Sequence, residues 1–304
     1  MGLFLALVAA GGVARAAAPD SKPPQSQPQS GDAPHAAHKS RRKAAKAADQ
    51  AAPGTPGLAA DRVEGLRVAL VGADDAAAIE AAATLGASGA SAAAEPLCEV
   101  LAAGAAPARL QAVLDALGKL GEAHLLRGDQ TTLDALELYS GHRAPDIRRR
   151  AIKALGTIND PRATPALLDR LGDAASDVRA SAAQALAARH ETKASQRMFA
   201  LLAMGDAGVA GPLAALATPD MVPRIAELNG TIEDGVIADT LGDYVKRPDV
   251  PDKLRIDVLR TIGGLSGAAA TTALVDYVAS VPAKDDRASK KEAQKLLDER
   301  GATQ

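Results

Sequence analysis

The side chains that could do chemistry are few and scattered in this sequence. It has one cysteine, Cys98, and five histidines among 304 residues. The histidines are His35, His38, His124, His142 and His190. Catalysis, cofactor binding or metal binding needs such groups at defined spacing, as in a P-loop, a Gly-x-Ser-x-Gly turn or a Cys/His zinc cluster. The sequence contains none of these motifs. We therefore expect no catalytic, cofactor or metal site and a protein that is not an enzyme.

The His190-Glu191 pair and Cys98 are the remaining candidates for chemistry. His190 and Glu191 are adjacent, but a metal ion needs three or four ligands, so we expect a solvated turn there. Cys98 has no second cysteine to pair with inside the chain. We expect it to be buried on an apolar helix face, with a reactive thiol as the alternative.

Charged residues recur at a fixed spacing. Asp146-Ile147-Arg148 returns as Asp177-Val178-Arg179, an ungapped offset of 31 residues. The apolar positions that follow are Ala151, Ala154 and Leu155 in one copy and Ala182, Ala185 and Leu186 in the other. Spacing of this kind predicts an amphipathic helix. Asp146 and Asp177 should cap these helices, while Arg148 and Arg179 should pair with aspartates of neighbouring units as a structural ladder.

A second helix completes each unit. Leu167, Leu168 and Leu171 map onto Met198, Phe199 and Leu202. Neither helix can cover its own apolar stripe, so we expect the units to stack. The composition agrees, because 47% apolar but only 2% aromatic residues favour closely packed helices over sheets.

Further copies extend the array over residues 61–304. A third copy is predicted at 254–263 and 273–278, which adds Arg255 to the ladder, and weaker copies lie upstream at 110–118 and 79–101. Residues 205–250 are irregular, which predicts one degenerate unit or, alternatively, a functional insertion. Residues 284–300 are predicted to form a polar terminal helix that caps the stack, with Leu296 and Leu297 inward.

The pattern Asp-Ile-Arg-x-x-Ala-x-x-Ala-Leu-Gly, followed by Pro-x-Leu-Leu, resembles the short HEAT-like repeats that also occur in phycobilisome lyases. The resemblance implies an all-α, right-handed α-solenoid of helical hairpins that binds a partner on its concave face. In that family the second helices line the concave side. The residues expected there to bind a partner are Arg170, Arg197, Asp276 and Tyr277, with ordinary solvated helix faces as the alternative.

The N-terminal residues predict export. An apolar run from Leu3 to Ala10 precedes Ala14-Arg15-Ala16, which is typical of a signal peptide cut after residue 16. The run is too short to span a bilayer. Residues 17–60 are rich in Pro, Ala, Ser and Gln and predict a disordered linker, with a basic cluster at 39–46.

Charge narrows the class of partner. From Asp61 onward the chain carries 28 basic and 34 acidic residues, which argues against a nucleic-acid surface. We expect an exported scaffold, periplasmic or secreted and of a bacterial type, that binds a protein or peptide. The alternatives are an envelope structural protein whose 39–46 cluster contacts an anionic polymer, and an accessory or lyase-like enzyme.

Overall fold

The computed structural model describes residues 59–126 and 128–301. Over these residues it contains fifteen α-helices and three short 3-10 turns, and an isolated bridge between Asn229 and Ile232 is the sole β-type pairing. The helices are α1 (Ala60–Val71), α2 (Asp75–Ala87), α3 (Ala94–Ala103), α4 (Pro107–Glu122), α5 (Gln130–Ser140), α6 (Pro145–Thr157), α7 (Ala163–Arg170), α8 (Ser176–Ala188), α9 (Ser195–Ala203), α10 (Ala210–Leu216), α11 (Met221–Ala226), α12 (Asp234–Lys246), α13 (Asp252–Gly264), α14 (Gly267–Ser280) and α15 (Ala288–Gly301). The prediction of an all-α repeat solenoid is confirmed.

The predicted signal peptide and basic cluster lie outside the described residues. So does the predicted linker up to residue 58, and its last position, Ala60, already begins α1. Among the described helices, none is long and apolar enough to cross a membrane.

Successive helices alternate between two rows. The first row consists of α2, α4, α6, α8, α10, α12 and α14, and the second row consists of α1, α3, α5, α7, α9, α11, α13 and α15. From α2 to α8, helices of the first row pack along much of their length, whereas their second-row neighbours touch at few points. The two sides of the stack therefore differ in helix spacing.

Small residues allow the close approach in the first row. A Cβ atom on Gly86 of α2 would lie 2.6 Å from the Cα atom of Ala116 in α4. A Cβ atom on Gly156 of α6 would lie 2.6 Å from the Cβ atom of Ala185 in α8. Both distances are shorter than any tolerated carbon–carbon contact, so only glycine fits at this helix spacing. Ala116 of α4 and Ala185 of α8, which face these glycines, also have small side chains and so permit the same close helix spacing.

The starts of the repeated helices differ from the prediction. α6 begins at Pro145 with Ala144 as its N-cap, and α8 begins at Ser176 with Ala175 as its N-cap. The prediction that Asp146 and Asp177 cap these helices is wrong, because both lie inside the first turn and neither side chain caps. Their carboxylates still lie near the positive end of the helix dipole.

The irregular region contains three helices, not the two of a single unit. α10 has 7 residues, α11 has 6, and α12 has 13. An odd number of helices shifts the phase of the array, so α13, predicted as a first helix of the third copy, lies in the second row. The sequence resemblance of α13 to α6 is therefore not matched by an equivalent position.

The C-terminal described helix, α15, packs on the last hairpin. It begins at Ala288, four residues after the predicted start. Leu296 and Leu297 are half-buried and pack against the core, as predicted, and Leu296 fills the space over Gly263 of α13. The apolar core runs without a break from Leu70 to Ala293.

Candidate binding surface

Arg148 is the centre of an interaction that connects three segments of the stack. Its Nη2 and Nε atoms donate to the two carboxylate oxygens of Asp173 at 2.6 and 2.7 Å. Its Nη1 atom donates to the carbonyl oxygens of His142 and Arg143 at 2.9 and 3.1 Å. One guanidinium therefore holds the loop before α6 and the loop before α8 together.

Arg179 repeats this arrangement one unit further on. Its Nε atom donates to Asp206 at 2.5 Å, and its Nη1 atom donates to the carbonyl oxygens of Asp173 and Ala174 at 2.9 and 3.1 Å. The predicted arginine ladder is present, but its carboxylates are Asp173 and Asp206 and not Asp146 and Asp177. A sequence signal for them exists, because each follows a glycine in the loop before the next first-row segment.

The Asp173 carboxylate is enclosed, with 5% of its side chain exposed. Burial raises its pKa, but hydrogen bonds from Arg148 and from the backbone N–H of Ala175 outweigh burial, and the pKa lies below its usual range. Asp160, in the turn after α6, is less enclosed, with 22% of its side chain exposed, and hydrogen bonds from Arg162 lower its pKa to about 2. The lowered pKa keeps Asp173 ionised at neutral pH, as its role as the partner of Arg148 requires.

Other arginines satisfy the carbonyl groups at helix ends. Arg189, just after α8, donates to the carbonyl oxygens of Ile158 and Asp160 after α6. Arg300 of α15 donates to Gly263 O and Leu265 O at 2.8 Å each. Ile158 O and Asp160 O also accept local backbone N–H groups, so Arg189 adds a hydrogen bond from the neighbouring unit at this helix end. Neither Arg189 nor Arg300 was predicted from the sequence.

The residues predicted to bind a partner do not form one surface. Tyr277 is 1% exposed, and its hydroxyl group is 2.6 Å from Ser289 Oγ. The prediction that it anchors a partner is wrong, because helix α14 turns this residue toward α15. Arg170 is half-buried beside Ser140 O, while Arg197 and Asp276 are exposed. Arg170 and Arg197 lie in the second row, whereas Asp276 lies in the first.

The first row carries a groove that none of the predicted residues lines. It has a volume of about 790 Å³ and crosses the C-terminal ends of α4, α6 and α8. Gly121, Gly156 and Ala185 form a floor of small residues, and polar side chains such as Asn159 and Gln184 line it. The Cβ positions of Gly121 and Gly156 face Thr157 and Ala185 of the neighbouring helices, so these glycines let the helices approach each other closely under the groove.

Ion pairs on one side of the groove connect α4 with α6. Lys153 Nζ is 3.0 Å from Glu122 Oε1, and both side chains are more than half exposed. Arg150 pairs with Asp115 in the same way, one turn earlier. Between α6 and α8, Ser181 and Gln184 are uncharged and donate and accept hydrogen bonds. The groove therefore has charged side chains on α4 and α6, uncharged ones on α8, and Arg189 and Glu191 just beyond the C-terminal end of α8.

Cys98 and His190 have structural surroundings. Cys98 is 7% exposed and lies 3.3 Å from Thr132 Oγ1, and burial raises the pKa of its thiol. The expectation of a buried cysteine is confirmed. His190 is exposed and has a left-handed backbone, with φ of 55°, in the turn that ends α8. Glu191 accepts a hydrogen bond from Thr164 at 2.5 Å.

Sequence comparison identifies the repeat type. Residues 106–187 and residues 132–217 each match the family of HEAT repeats. The chain carries HEAT-like repeats. The matched HEAT segments run from α4 through α10 and include both complete Arg-Asp pairs of the ladder. No curated protein has a significant sequence match to the chain.

Solved structures of other helical-repeat proteins are similar to the HEAT array at low identity. One is the complex of CpcE and CpcF of phycocyanin lyase from Nostoc sp. PCC7120, at 19% identity and a TM-score of 0.44, covering 83% of this chain and 98% of that chain. Another is the karyopherin Kap121p bound to the extreme C-terminus of the protein phosphatase Cdc14p, at 15% identity and a TM-score of 0.49. That match covers 86% of this chain but 32% of the karyopherin chain.

Proposed function

We propose that the protein is a noncatalytic scaffold that holds an extended segment of another protein in the groove of the first row. The groove itself is the observation that supports this proposal: it crosses three successive repeats and has a floor of small residues. An extended peptide running from repeat to repeat would meet the same set of helix ends three times. Its backbone amides would find partners in side chains such as Gln184 and Asn159.

The spacing of the helices favours the first row over the second. In any curved stack the helices lie closer together on the concave side, and the first row from α2 to α8 is the closer-packed one. This reverses the expectation that the second helices, which carry Arg170 and Arg197, face the partner. A concave surface buries more of an extended ligand than a convex one does.

Photo-crosslinking tests which row binds. A benzophenone amino acid would replace Ala188 of the first row or, as the matched position, Ala200 of the second row; both alanines are exposed. We expect a covalent adduct with one defined protein at residue 188, identified by mass spectrometry, and none at 200. Adducts confined to residue 200 would assign binding to the second row and overturn the proposal.

The dissociation constant of the partner identified by crosslinking tests whether the groove binds it. Gln184→Glu replaces an amide that can donate to a peptide carbonyl with a carboxylate that cannot, and should weaken binding at least tenfold, whereas Gln196→Glu on α9 should leave the dissociation constant unchanged. Gln184 is exposed, so the variant should melt at the wild-type temperature. An unchanged dissociation constant for Gln184→Glu would exclude the groove.

We further propose that the scaffold works in the periplasm or outside the cell. The apolar run at Leu3–Ala10 and the small-residue site before residue 17 support this proposal. Mass spectrometry of the mature protein should find an N-terminus at Ala17. A protein that keeps Met1 and fractionates with the cytoplasm would contradict export.

The basic cluster at 39–46 is the candidate for a tether to an anionic envelope polymer. Deleting residues 17–58 should release the protein from envelope fractions at low salt without changing capture at position 188. Unchanged association with the envelope would remove this role.

A further inference from the structure

Arg255 in α13 has a different environment from the other ladder arginines. It is 8% exposed, and its Nε and Nη2 atoms donate to the carbonyl oxygens of Val245 and Arg247 at 2.9 and 2.5 Å. Within residues 59–126 and 128–301, no carboxylate lies within ion-pair distance of it. Its remaining nitrogen, Nη1, donates to no described residue. A guanidinium nitrogen with unused hydrogen-bonding capacity is a place where an anion can bind.

The comparison with Arg148 and Arg179 shows what is missing. Each of those guanidinium groups contacts the preceding loop through carbonyl oxygens and the following loop through an aspartate. Arg255 makes the carbonyl contacts alone. The aspartate of the following loop, Asp285, is instead held by Arg287, two residues away. The phase shift of α13 thus leaves an arginine of the ladder without its carboxylate.

The pocket in front of Arg255 can admit such a group. It has a volume of about 640 Å³ and is lined by Lys246, Pro248, Asp252, Arg255, Asp285 and Arg287. Both lining carboxylates are engaged, since Asp252 accepts hydrogen bonds from the backbone N–H and hydroxyl of Ser289. Lys246 has its ammonium 3.3 Å from the exposed Asp243, a weak pairing that a second anion can replace.

We propose that this pocket is an oxyanion site, in which a carboxylate or phosphate group binds Arg255 Nη1 with Lys246 as a second donor. Charge-assisted hydrogen bonds from a guanidinium are the strongest that such a group can find on a protein surface. The site shares no residue with the groove of the first row, so it stands independently of the proposed function.

The test is a titration of the full chain with acetate and, separately, with inorganic phosphate, followed by 15N amide NMR. Sodium chloride keeps the ionic strength constant. We expect saturable shifts at the amides of Arg247, Asp249 and Arg287, around the pocket, for at least one anion. Saturation by acetate alone assigns a carboxylate, such as an acidic side chain of a partner, and saturation by phosphate alone assigns a phosphate group. Linear shifts for both anions would overturn the site.

Two variants test the role of Arg255. Arg255→Gln should weaken the saturating anion at least tenfold, while Arg260→Gln, on the exposed side of the same helix, should not. Arg287→Gln keeps Arg255 but frees the Asp285 carboxylate to occupy the pocket, so it should also weaken anion binding several-fold. This second variant tests the site even if Arg255→Gln fails to fold. Equal affinities in wild type and both pocket variants would refute the assignment.

Discussion

At the scale of single residues, arginine joins one repeat to the next in this protein. Arg148 and Arg179 connect loops through aspartates, and Arg189 and Arg300 satisfy carbonyl groups at the ends of neighbouring helices. The planar guanidinium has five donors, so one side chain can bind three backbone or carboxylate groups at once. Lysine could not replace it, because an ammonium group lacks the fork that binds a carboxylate with two parallel bonds.

Removing Arg148 should be costly because its partner is buried. Arg148→Ala would leave the Asp173 carboxylate, 5% exposed, without its cation and should lower the free energy of unfolding by about 2–3 kcal/mol. Arg149→Ala is the matched control, because Arg149 pairs with the exposed Asp146 in its own helix and should cost less than about 0.5 kcal/mol. Urea unfolding measures both. Equal costs would show that the ladder does not stabilise the fold.

The lowered pKa of Asp173 predicts an acid-sensitive contribution to stability. Its pKa is lower in the folded than in the unfolded state, so its stabilisation is complete above the unfolded value of about 3.9 and is lost as the pH falls through the folded pKa. Asp173→Asn should therefore unfold at lower urea than wild type at pH 7. The difference should shrink steadily below pH 4. A difference that stays constant from pH 7 to pH 2 would contradict the ionised ladder.

The sequence predicts a residue's role well when its partners are close in the chain, and poorly when they are distant. Arg148 and Arg179 were predicted because their spacing repeats, but their partners lie 25 and 27 residues further along, across a loop of variable length. Tyr277 was assigned to a partner surface because it was placed at a polar helix position and tyrosine often anchors interfaces. A one-residue step turns a side chain by 100° around the helix, and the packing of α15 decides which side is covered.

At the scale of helices, the asymmetry between the two rows has its origin in small residues. Gly86 and Gly156 lie where a neighbouring first-row helix approaches within contact distance of the backbone. Glycine costs helix stability, so its presence inside these helices is explained by the packing that it permits. The groove depends on the same residues, since Gly156 forms part of its floor.

Two glycine-to-alanine substitutions distinguish the effect of helix–helix packing from the effect of helix propensity on stability. Gly156→Ala would place a Cβ atom 2.6 Å from that of Ala185 and should destabilise the protein by about 1–3 kcal/mol. Gly118→Ala, also inside a first-row helix but with open space at its Cβ position, should stabilise it by about 0.4–1 kcal/mol. Thermal unfolding of both variants tests the opposite signs. A stabilising Gly156→Ala would mean that α6 and α8 do not pack as described.

The order of the helices was predictable up to α9 and not beyond. The first-row helices up to that point begin at 75, 107, 145 and 176 with one second-row helix between each pair, and this alternation fixes which helices share a row. After it, Gly205 to Asp220 contains short apolar pieces between prolines and glycines, and such pieces carry too few turns to show a helical period. The number of helices that this region forms, two or three, decides to which row every later helix belongs. That number depends on tertiary packing and cannot be derived from the local sequence.

At the scale of the whole described chain, each helix pair contacts its neighbours alone, so stability is a sum of local terms. Between α8 and α12 the first row runs through α10, which has 7 residues and is preceded by a 3-10 turn, Ala207–Val209, that also packs on α8. The α2–α8 segment and the α12–α15 segment are therefore coupled through a short helix. Cooperative unfolding across the array depends on that helix staying folded.

Leu213, in the middle of α10, is 0% exposed and holds this connection. Leu213→Asp buries an unpaired charge, which should unfold α10 and α11 and separate the two segments. Hydrogen exchange in increasing urea, read by mass spectrometry, should then show α12–α15 and α2–α8 losing protection at different urea concentrations. Leu138→Asp, the same change at a residue that is 72% exposed, should leave one common transition. If both segments of Leu213→Asp still lose protection together, α10 is not the link between them, and the coupling must run through the second row.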